Sequence, residues 1–335
     1  MEKHQDIPSV ITHAVKRRRS FVKETNAYRL FNGFYEGIPG LVLDRYGSAL
    51  VLFNHTEKDF LKGAMHNIAD WALEYLEGVD SVLLKQRQRA ENGGEENGIL
   101  FAGQSLPASI MEYSVQYALD LQINQDASFY LDTRELRRWL LAHSVGKRVL
   151  NTFAYTGSLG VAAGAGGAAQ VVQTDLSRTF LSIAETSWRL NDLDPDKCEI
   201  IPGDFFRVTA RLRHSRRLFD CMILDPPFFS DTDAGRVDME AGTTRLINKV
   251  RPLVAHEGVL IVINNALFLS GADFKAELNQ LCKSEYLFFE GIIPVPADVT
   301  GFQETVAVHP PVDPAPFNHP TKIALLRVFR KDERK

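Results

Sequence analysis

The sequence predicts an α/β protein: a doubly wound, mostly parallel seven-stranded sheet, preceded by a smaller N-terminal α+β domain. Two observations carry that prediction. From residue 132 onward, segments with helical spacing alternate with short, nearly continuous apolar runs. Strands covered by helices on both faces read in this way, because neither face meets water. Before residue 125 the alternation is absent, and short apolar runs are punctuated by Gly40 and Gly47, the pattern of hairpins and brief strands. The expected domains are therefore residues 1–125, small and α+β, and residues 126–335.

The elements follow in order. Residues 9–23, SVITHAVKRRRSFVK, have the spacing of a short basic helix. The stretch YRLFNGFYEGIPGLVLDRYGSALVLFN divides into strands at its glycines. Residues 59–77 return to helical periodicity, VDSVLLKQR reads as a strand, the glycine-rich stretch 89–98 as a loop, and SIMEYSVQYALDLQI alternates as strands do. In the larger domain the helix DTRELRRWLLAHS precedes the strand KRVLNTF, and GSLGVAAGAG leads to AQVVQTD. SRTFLSIAETSWRLN leads to EIIPGD, a further helical stretch to FDCMILD, and AGTTRLINKVRPLVAH to GVLIVINN. One last helix precedes two strands, YLFFEGIIPV and KIALLRVFR.

Composition narrows the function. With 38 Lys and Arg against 42 Asp and Glu, the chain is not a polybasic nucleic-acid binder, so any such contact is local. Three cysteines, Cys198, Cys221 and Cys282, show no metal-ligand spacing and no disulfide framework. With no apolar leader at the start, a reducing, cytoplasmic setting is expected. No apolar run approaches the ~18 residues of a membrane span. Neither a metal nor a membrane is expected; the oligomeric state is not legible, a homodimer being one arrangement left open.

Open α/β sheets bind ligands beyond the C-terminal ends of their strands. Those ends here are Asn151 to Gly157, Asp175, Gly203–Asp204, and Asp225–Pro226–Pro227. A dinucleotide would require G-x-G-x-x-G between the first strand and its helix. The glycine-rich GAGGAA at 164–169 lies after that helix, where it caps and turns the chain, and the first turn has the single glycine Gly157. A ligand with a ribose but no phosphate fits better. Asp175 is placed to hold two ribose hydroxyls, Asp204 to accept from an adenine amine, and the glycine turn leaves room for an amino-acid tail. That set suits S-adenosylmethionine (SAM). Both carboxylates are also suited to cap the helices that follow them.

Several stretches then coincide in order: NQDASFYLDTRELRRWL, VLNTFAYTGSLGVAAGAGGAAQVVQTDLS, LND, GDFF and FDCMILDPPFF. Together they resemble the catalytic domain of a family of class I SAM-dependent methyltransferases acting on bases of bacterial 23S ribosomal RNA. That family includes cytosine-C5 enzymes with a PUA domain and the guanine-N7 half of a fused THUMP-bearing enzyme. The earlier RLFNGFYEGIPGLVLDRYG resembles the small β-rich domain before the catalytic one, so the likeness covers about residues 28–330. Residues 1–27 leave no room for a PUA domain, so none is expected. The resemblance implies SAM contacts at Phe129, Asp132, Arg134, Asn151, Phe153, Tyr155, Gly157, Asp175, Asn191, Asp204 and Asp225. It also implies a Rossmann-like fold, RNA as partner and a role in rRNA processing.

The acceptor chemistry is read from DPPFF. Pro226 and Pro227 restrict the backbone and so fix where the Asp225 carboxylate points. Such an acceptor grips the amino or N–H edge of a flat heterocycle, and Phe228 or Phe229 is placed to stack on its face. In the family pattern the aromatic stands where Phe229 does. Carbon-5 methylation would need a cysteine thiolate to attack the pyrimidine. The cytosine-C5 relatives carry it after the fifth strand, where this chain has Asn264 and Asn265, as the guanine-N7 branch does. Cys221 reads as a core residue. The expectation is thus methyl transfer to a nitrogen of an RNA base, with Asp225, Pro226, Pro227, Phe229 and Asn264 at the reacting centre.

Three basic clusters are candidates for phosphate contact: Lys16–Arg17–Arg18–Arg19, Lys85/Arg87/Arg89 and Arg211/Arg213/Arg216/Arg217. Each is equally readable as a solvated or salt-bridged surface. His319–Pro320 matches the family and reads as a turn without assigned chemistry. Two other functions stay open on the sequence: a SAM enzyme with a protein or small-molecule acceptor, and a module that binds SAM or RNA without turnover.

Overall fold

The computed structural model describes residues 7–18, 23–56, 62–87, 97–227, 229–238, 242–266, 269–307 and 321–331. The chain divides into two compact units, residues 1–131 with 296–310, and residues 132–295 with 311–335.

The first unit opens with α1 (Ile7–Arg18). Strand β1 (Ala27–Asn32) runs through the single turn α2 (Gly33–Glu36) into β2 (Leu41–Tyr46) and β3 (Ala49–Asn54). Helix α3 (Lys62–Tyr75) crosses to β4 (Ser81–Gln86), and β5 (Ile99–Ala102) follows. These five strands form one sheet in sequence order, antiparallel except for β3 and β4. A parallel pair requires a crossover, which α3 supplies. Ile11 and Ala14 of α1 and Met65, Ile68 and Ala72 of α3 join one core with Leu30, Leu43, Leu50 and Val82 of the sheet. A separate hairpin joins β6 (Ser109–Glu112) to β7 (Val115–Ala118).

In the second unit, α4 (Arg134–His143) precedes β8 (Arg148–Thr152), α5 (Ser158–Ala165), β9 (Gln170–Asp175), α6 (Arg178–Leu190) and β10 (Cys198–Pro202). Then come α7 (Phe205–His214), β11 (Phe219–Leu224), the hairpin β12 (Phe229–Thr232) and β13 (Gly235–Asp238), α8 (Thr243–Val250) and β14 (Val254–Asn264). Helix α9 (Gly271–Cys282) leads to β15 (Leu287–Ile293); after the short α10 (Ala297–Thr300) of the first unit, β16 (Lys322–Val328) closes the sheet. The sheet has seven strands in the order β10-β9-β8-β11-β14-β16-β15, parallel except for β16, which is antiparallel to both neighbours. The predicted doubly wound sheet is thus present. Its order reverses between β8 and β11, and Leu150, Met222, Leu224, Leu260 and Val262 from the central strands are wholly or almost wholly buried.

Two local expectations shift. The helix read over AGTTRLINKVRPLVAH stops at Val250; Arg251–Leu253 form one 3₁₀ turn and β14 starts at Val254. Pro252 has no N–H to continue the ladder. The hairpin β12–β13 is an additional element. Its Gly235 lies so close to Phe206 that a Cβ there would stand 2.7 Å from the ring. The period-2 signal over four residues per strand is too short to separate from a loop.

Residues 296–307 belong to the first unit and are held there by buried polar groups. Arg18 is fully buried and donates to Glu36 Oε1 at 2.9 Å and Oε2 at 3.0 Å, and to the carbonyls of Ala14 and Asp298. The Arg29 N–H donates to Asp298 Oδ2 at 2.9 Å, and Asn32 Nδ2 to the Val299 carbonyl at 2.8 Å. This removes Arg18 and Lys85 from the phosphate-binding reading of their clusters and favours, for them, the salt-bridged alternative. Arg18 is an internal ion pair, and Arg17 pairs with Glu304 at 3.1 Å. Lys85 is 1% exposed, its Nζ donating to the carbonyls of Asn124 and Asp126 at 2.6 Å each, while Arg87 pairs with Asp126. A buried cation needs such partners, and one so engaged is not available to a phosphate. Arg19, Arg89 with most of the loop at 89–98, Phe228 and His319–Pro320 lie outside the described residues.

Candidate active site

The C-terminal edge of the parallel strands collects the predicted ligand groups. Beyond β8 the chain enters α5 through a turn in which Phe153, Tyr155 and Gly157 all have left-handed φ, 55°, 51° and 77°. Two bulky residues at such angles are costly and persist only where the surroundings hold them. Here Asp175, ending β9, does so: its Oδ2 accepts from the Tyr155 N–H and its Oδ1 from the Ser177 N–H, both at 2.9 Å. The carboxylate keeps further lone pairs for hydroxyl groups.

Beneath the turn lies a residue the sequence reading passed over. Gln173 is fully buried on β9, and its Oε1 accepts from Asn151 Nδ2 at 3.3 Å. A Cβ on Gly157 would stand 2.3 Å from Ala184 Cβ and 2.7 Å from Gln173 Oε1; one on Gly160 would stand 2.3 Å from the same oxygen. Gly157 is therefore required by the approach of α6 and β9 to the turn, and Gly160 by the approach of α5 to β9. The spacing Q-x-D on a strand, which puts Gln173 and Asp175 on one face, was the available signal. Asn151 Oδ1, Gln173 Nε2 and Thr174 Oγ1 are buried without a hydrogen-bond partner.

Asp204 caps α7. Its Oδ1 accepts from the N–H groups of Phe206 at 2.9 Å and Arg207 at 3.0 Å, and its Oδ2 from Thr232 Oγ1 at 2.7 Å. Phe205 stacks on Phe153 at 4.5 Å, so an aromatic pair spans the ends of β8 and β10. Leu176, next to Asp175, is 66% exposed, an unusual setting for a leucine beside a buried sheet.

Asp225 ends β11, half-buried, followed by buried Pro226 and exposed Pro227. Burial first and the Asp132 charge second raise its carboxyl, a hydrogen bond from Asn265 opposes them, and the balance stands at about 7. Asp132 is held by Thr321 Oγ1 at 2.5 Å. At the end of β14 the two asparagines part. Asn264 is fully buried, with Nδ2 donating to Thr243 Oγ1 at 3.1 Å and Oδ1 accepting from the Ala266 N–H at 2.8 Å. Asn265 is exposed and donates through Nδ2 to Asp225 Oδ1 at 3.3 Å. Phe229 is 52% exposed, with the Arg236 guanidinium 4.9 Å from its ring centroid.

Three further predicted residues have settings of their own. Phe129 belongs to the first unit, buried, its carbonyl accepting from the Tyr46 hydroxyl at 2.9 Å. Arg134 is buried at the first position of α4. Asn191 closes α6, its Nδ2 donating to the Ser187 carbonyl at 2.7 Å. Since α6 starts at the C-terminal end of β9 and returns to the start of β10, Asn191 is at the opposite edge of the sheet. Arg211, Arg213 and Arg216 are likewise at that opposite edge, where α7 returns to β11; Arg217 pairs there with Glu199 at 2.7 Å.

Burial disfavours the thiolate form of all three cysteines. Burial raises Cys198 to about 11, Cys221 to about 12 and Cys282 above its ordinary value. Among the described residues no group of three or more His, Cys, Asp or Glu could hold a metal. None of the described helices is long and apolar enough to cross a membrane.

The donor set can be tested against SAM on these contacts. The Asp175 carboxylate suits a pair of hydroxyls, Leu176 and the Phe153–Phe205 pair suit a flat apolar ring, and the Cβ-free turn at Gly157 suits close approach. The family described as S-adenosylmethionine-dependent methyltransferase matches residues 68–300, more than half of the chain. The chain belongs to that family. This methyltransferase is 30% identical over 260 residues to Ribosomal RNA large subunit methyltransferase I of Aeromonas hydrophila, covering 75% of this chain and 64% of that one. It is 34% identical over 211 residues to the protein of the same name from Yersinia pseudotuberculosis, covering 61% of this chain and 52% of that one. The methyltransferase thus spans about half to two thirds of the length of these curated relatives. A solved methyltransferase-fold chain complexed with SAH superposes with a TM-score of 0.82 at 23% identity, covering 96% of this chain and 80% of that one. At that identity the likeness speaks for the fold. SAM is the cofactor of the family, and the strand-end residues fit it.

Proposed function

We propose that this methyltransferase transfers the methyl group of SAM to a nitrogen of an RNA base, ribosomal RNA being the substrate. The observation that carries the reading is Asp225: a half-buried carboxylate at the end of β11, touched by the Asn265 amide and followed by the exposed Phe229. A hydrogen-bond acceptor beside an exposed aromatic is what a flat, polar-edged base requires. The large-subunit ribosomal RNA methyltransferases among its relatives support RNA as the class of acceptor, and with it a cytoplasmic place of work.

When bound, SAM supplies an electrophilic methyl group on a sulfonium. Asp175 holds the ribose hydroxyls, Asp204 with its capped helix start receives the adenine, and Gly157 leaves space for the amino-acid tail. Asn151, Phe153 and Tyr155 shape that turn, and Asp132 lends its negative charge beside Asp225. Asp225 orients the acceptor edge, Pro226 and Pro227 fix its direction, and Phe229 stacks on the base. Asn264 fixes the end of β14 through Thr243 and the Ala266 N–H. The raised thiols of all three cysteines speak for nitrogen rather than carbon as target. The first unit, with its own core, serves to position the RNA.

The test is incubation of the pure protein with methyl-labelled SAM and ribosomal subunits or total RNA from a strain lacking the gene, then digestion to nucleosides. A labelled N-methyl nucleoside is expected. A 5-methylpyrimidine would keep the RNA and refute the nitrogen. Label in protein or small molecules alone, or binding without any label, would refute RNA as the acceptor.

A further inference from the structure

The basic cluster on α7 keeps its charge outward. Residues 205–219 carry five arginines, one histidine and no carboxylate, in a chain whose formal net charge is −4. Several arginines elsewhere in this unit meet a carboxylate, as Arg148 meets Asp220 and Arg178 meets Glu185, both at 3.0 Å. Past the end of α7, Arg217 meets Glu199. Arg207, Arg211, Arg213 and Arg216 differ: all four are exposed, and among the described residues no carboxylate holds any of them. The carboxylates that flank the helix are already engaged. Asp204 holds the cap and Thr232, Glu199 holds Arg217, and Asp220 holds Arg148.

The arrangement is a ridge. A spacing of four residues puts Arg207 and Arg211 on one face of α7, ~6 Å apart along its axis, and His214 falls on the same face. Like charges one turn apart repel. Arg213 and His214 in the last turn offset the negative pole of the helix, but Arg207 stands in the first turn and adds to the positive pole. A surface so charged gains from an anion whose charge repeats. The ridge begins at the edge that holds the candidate site, where Asp204 caps α7 and the Phe206 ring abuts Gly235 of the hairpin that carries Phe229. Lys249 of α8 adds a cation there, its Nζ 5.0 Å from the Phe206 ring centroid. The hairpin itself is not basic, since Asp231 stands opposite Arg236. The free charge therefore belongs to α7, and it leads from the exposed aromatic toward the opposite edge of the sheet.

We propose that the outer face of α7 is a binding surface for the RNA backbone, with Arg207, Arg211, Arg213 and Arg216 contacting phosphates of the strand that flanks the methylated base. This rests on the reading of the protein as an RNA-base methyltransferase. The planar guanidinium fork meets phosphate oxygens in pairs, which an ammonium does not. Such contacts hold and orient the strand without reading its sequence. They give the catalytic unit a grip on RNA of its own, separate from the strand-end residues that hold cofactor and base.

The test measures binding and turnover in the full chain. Fluorescence anisotropy with a labelled oligouridine follows affinity against salt in wild type, Arg211→Ala/Arg213→Ala, Arg211→Lys/Arg213→Lys and Arg189→Ala, each checked for an intact thermal transition. Arg189 is the control: it is exposed on α6, which is absent from the core that α7, α8 and α9 share. Each lost phosphate contact on a single strand should make the salt dependence of log K shallower by ~0.7, so the alanine pair should lose ~1.4, and up to roughly 25-fold in affinity at 0.1 M salt. The lysine pair should keep most of the slope, and Arg189→Ala all of it. Methylation of ribosomal RNA by the alanine pair should show a raised KM for RNA, with kcat and SAM affinity within about threefold of wild type. An unchanged slope in the alanine pair would overturn the surface while leaving RNA methylation intact. So would an equal loss in Arg189→Ala, which would mark the effect as one of net charge. Wild-type protein that labels no RNA would overturn the parent reading and this one with it.

Discussion

Thr232 Oγ1 donates to Asp204 Oδ2 at 2.7 Å, so the hairpin that follows Asp225–Pro226–Pro227 is fastened to the cap of α7. Phe229 and Arg236 ride on that hairpin, and Val237 anchors it in the core with Phe206. The element that carries the exposed aromatic is thereby tied to a strand end assigned to the cofactor. Thr232→Val should loosen the hairpin while the cap survives through the Phe206 and Arg207 N–H groups. The expected result is a several-fold rise in KM for RNA, SAM affinity within about threefold, and a stability loss of ~1 kcal/mol. Steady-state kinetics against calorimetric SAM binding checks it; an equal loss in SAM affinity would assign the bond to the cofactor instead.

Gly160 faces Gln173 at a distance that admits no Cβ. Gly160→Ala should cost ~1–3 kcal/mol by overpacking. Adding Gln173→Ala should recover much of that loss, because the clashing oxygen is gone. Urea unfolding of the two single variants and the double variant measures the coupling. Additive losses would mean that the helix, not the side chain, has moved.

Asp175 holds the turn and is the ribose acceptor in the proposed complex. Asp175→Ala removes both its backbone contacts and its hydroxyl contacts, each charge-assisted bond being worth ~1.5–3 kcal/mol. SAM affinity should fall by roughly 10- to 100-fold or more, which is ~1.4–2.8 kcal/mol. Calorimetry decides; unchanged affinity would remove Asp175 from the ligand.

Arg18 and Glu36 are a buried pair in the first unit. Arg18→Met strands the Glu36 carboxylate and should cost ~3–5 kcal/mol, whereas replacing both by apolar residues of similar volume should cost far less. Denaturant unfolding of the single and double variants distinguishes the two. Equal losses would show that the Asp298 carbonyl contacts matter more than the ion pair.

The thiols give a direct check on the target atom. With Cys198 at about 11 and Cys221 at about 12, thiolate is scarce at neutral pH in both, and neither should react quickly with iodoacetamide in the native state. A variant with all three cysteines replaced by alanine should keep methyl transfer within a few-fold. Loss of turnover in a folded triple variant would bring back a covalent carbon-5 route.

Much of the site was legible because the fold places strand ends predictably. Asp175, Asp204 and Asp225 were found as the polar residues closing apolar runs, and the sheet order brings those three ends to one edge. Asn264 and Asn265 were legible as a pair but not individually, since one backbone step turns a side chain to the other face of a strand. The exposed partner is Asn265, and only its contact with Asp225 shows that. Gln173 was missed because a glutamine inside an apolar strand carries no signal until the glycines above it are seen to need its space. The basic clusters stayed open in the sequence because a run of arginines looks the same whether it faces water or, as Arg18 does, a buried carboxylate.

The sequence by itself determined the doubly wound sheet, the helix-strand alternation and the identity of the strand-end carboxylates, because periodicity and caps are local properties of adjacent residues. Tertiary structure decided which of those groups still face outward. It engaged Asn264, Arg18 and Lys85 in internal bonds, carried Asn191 to the far edge, returned residues 296–307 to the first unit, and set Asp132 close enough to raise Asp225. Those outcomes depend on residues tens to hundreds of positions apart meeting in a low-dielectric interior, where an unpaired polar group is costly and its partner is chosen by packing.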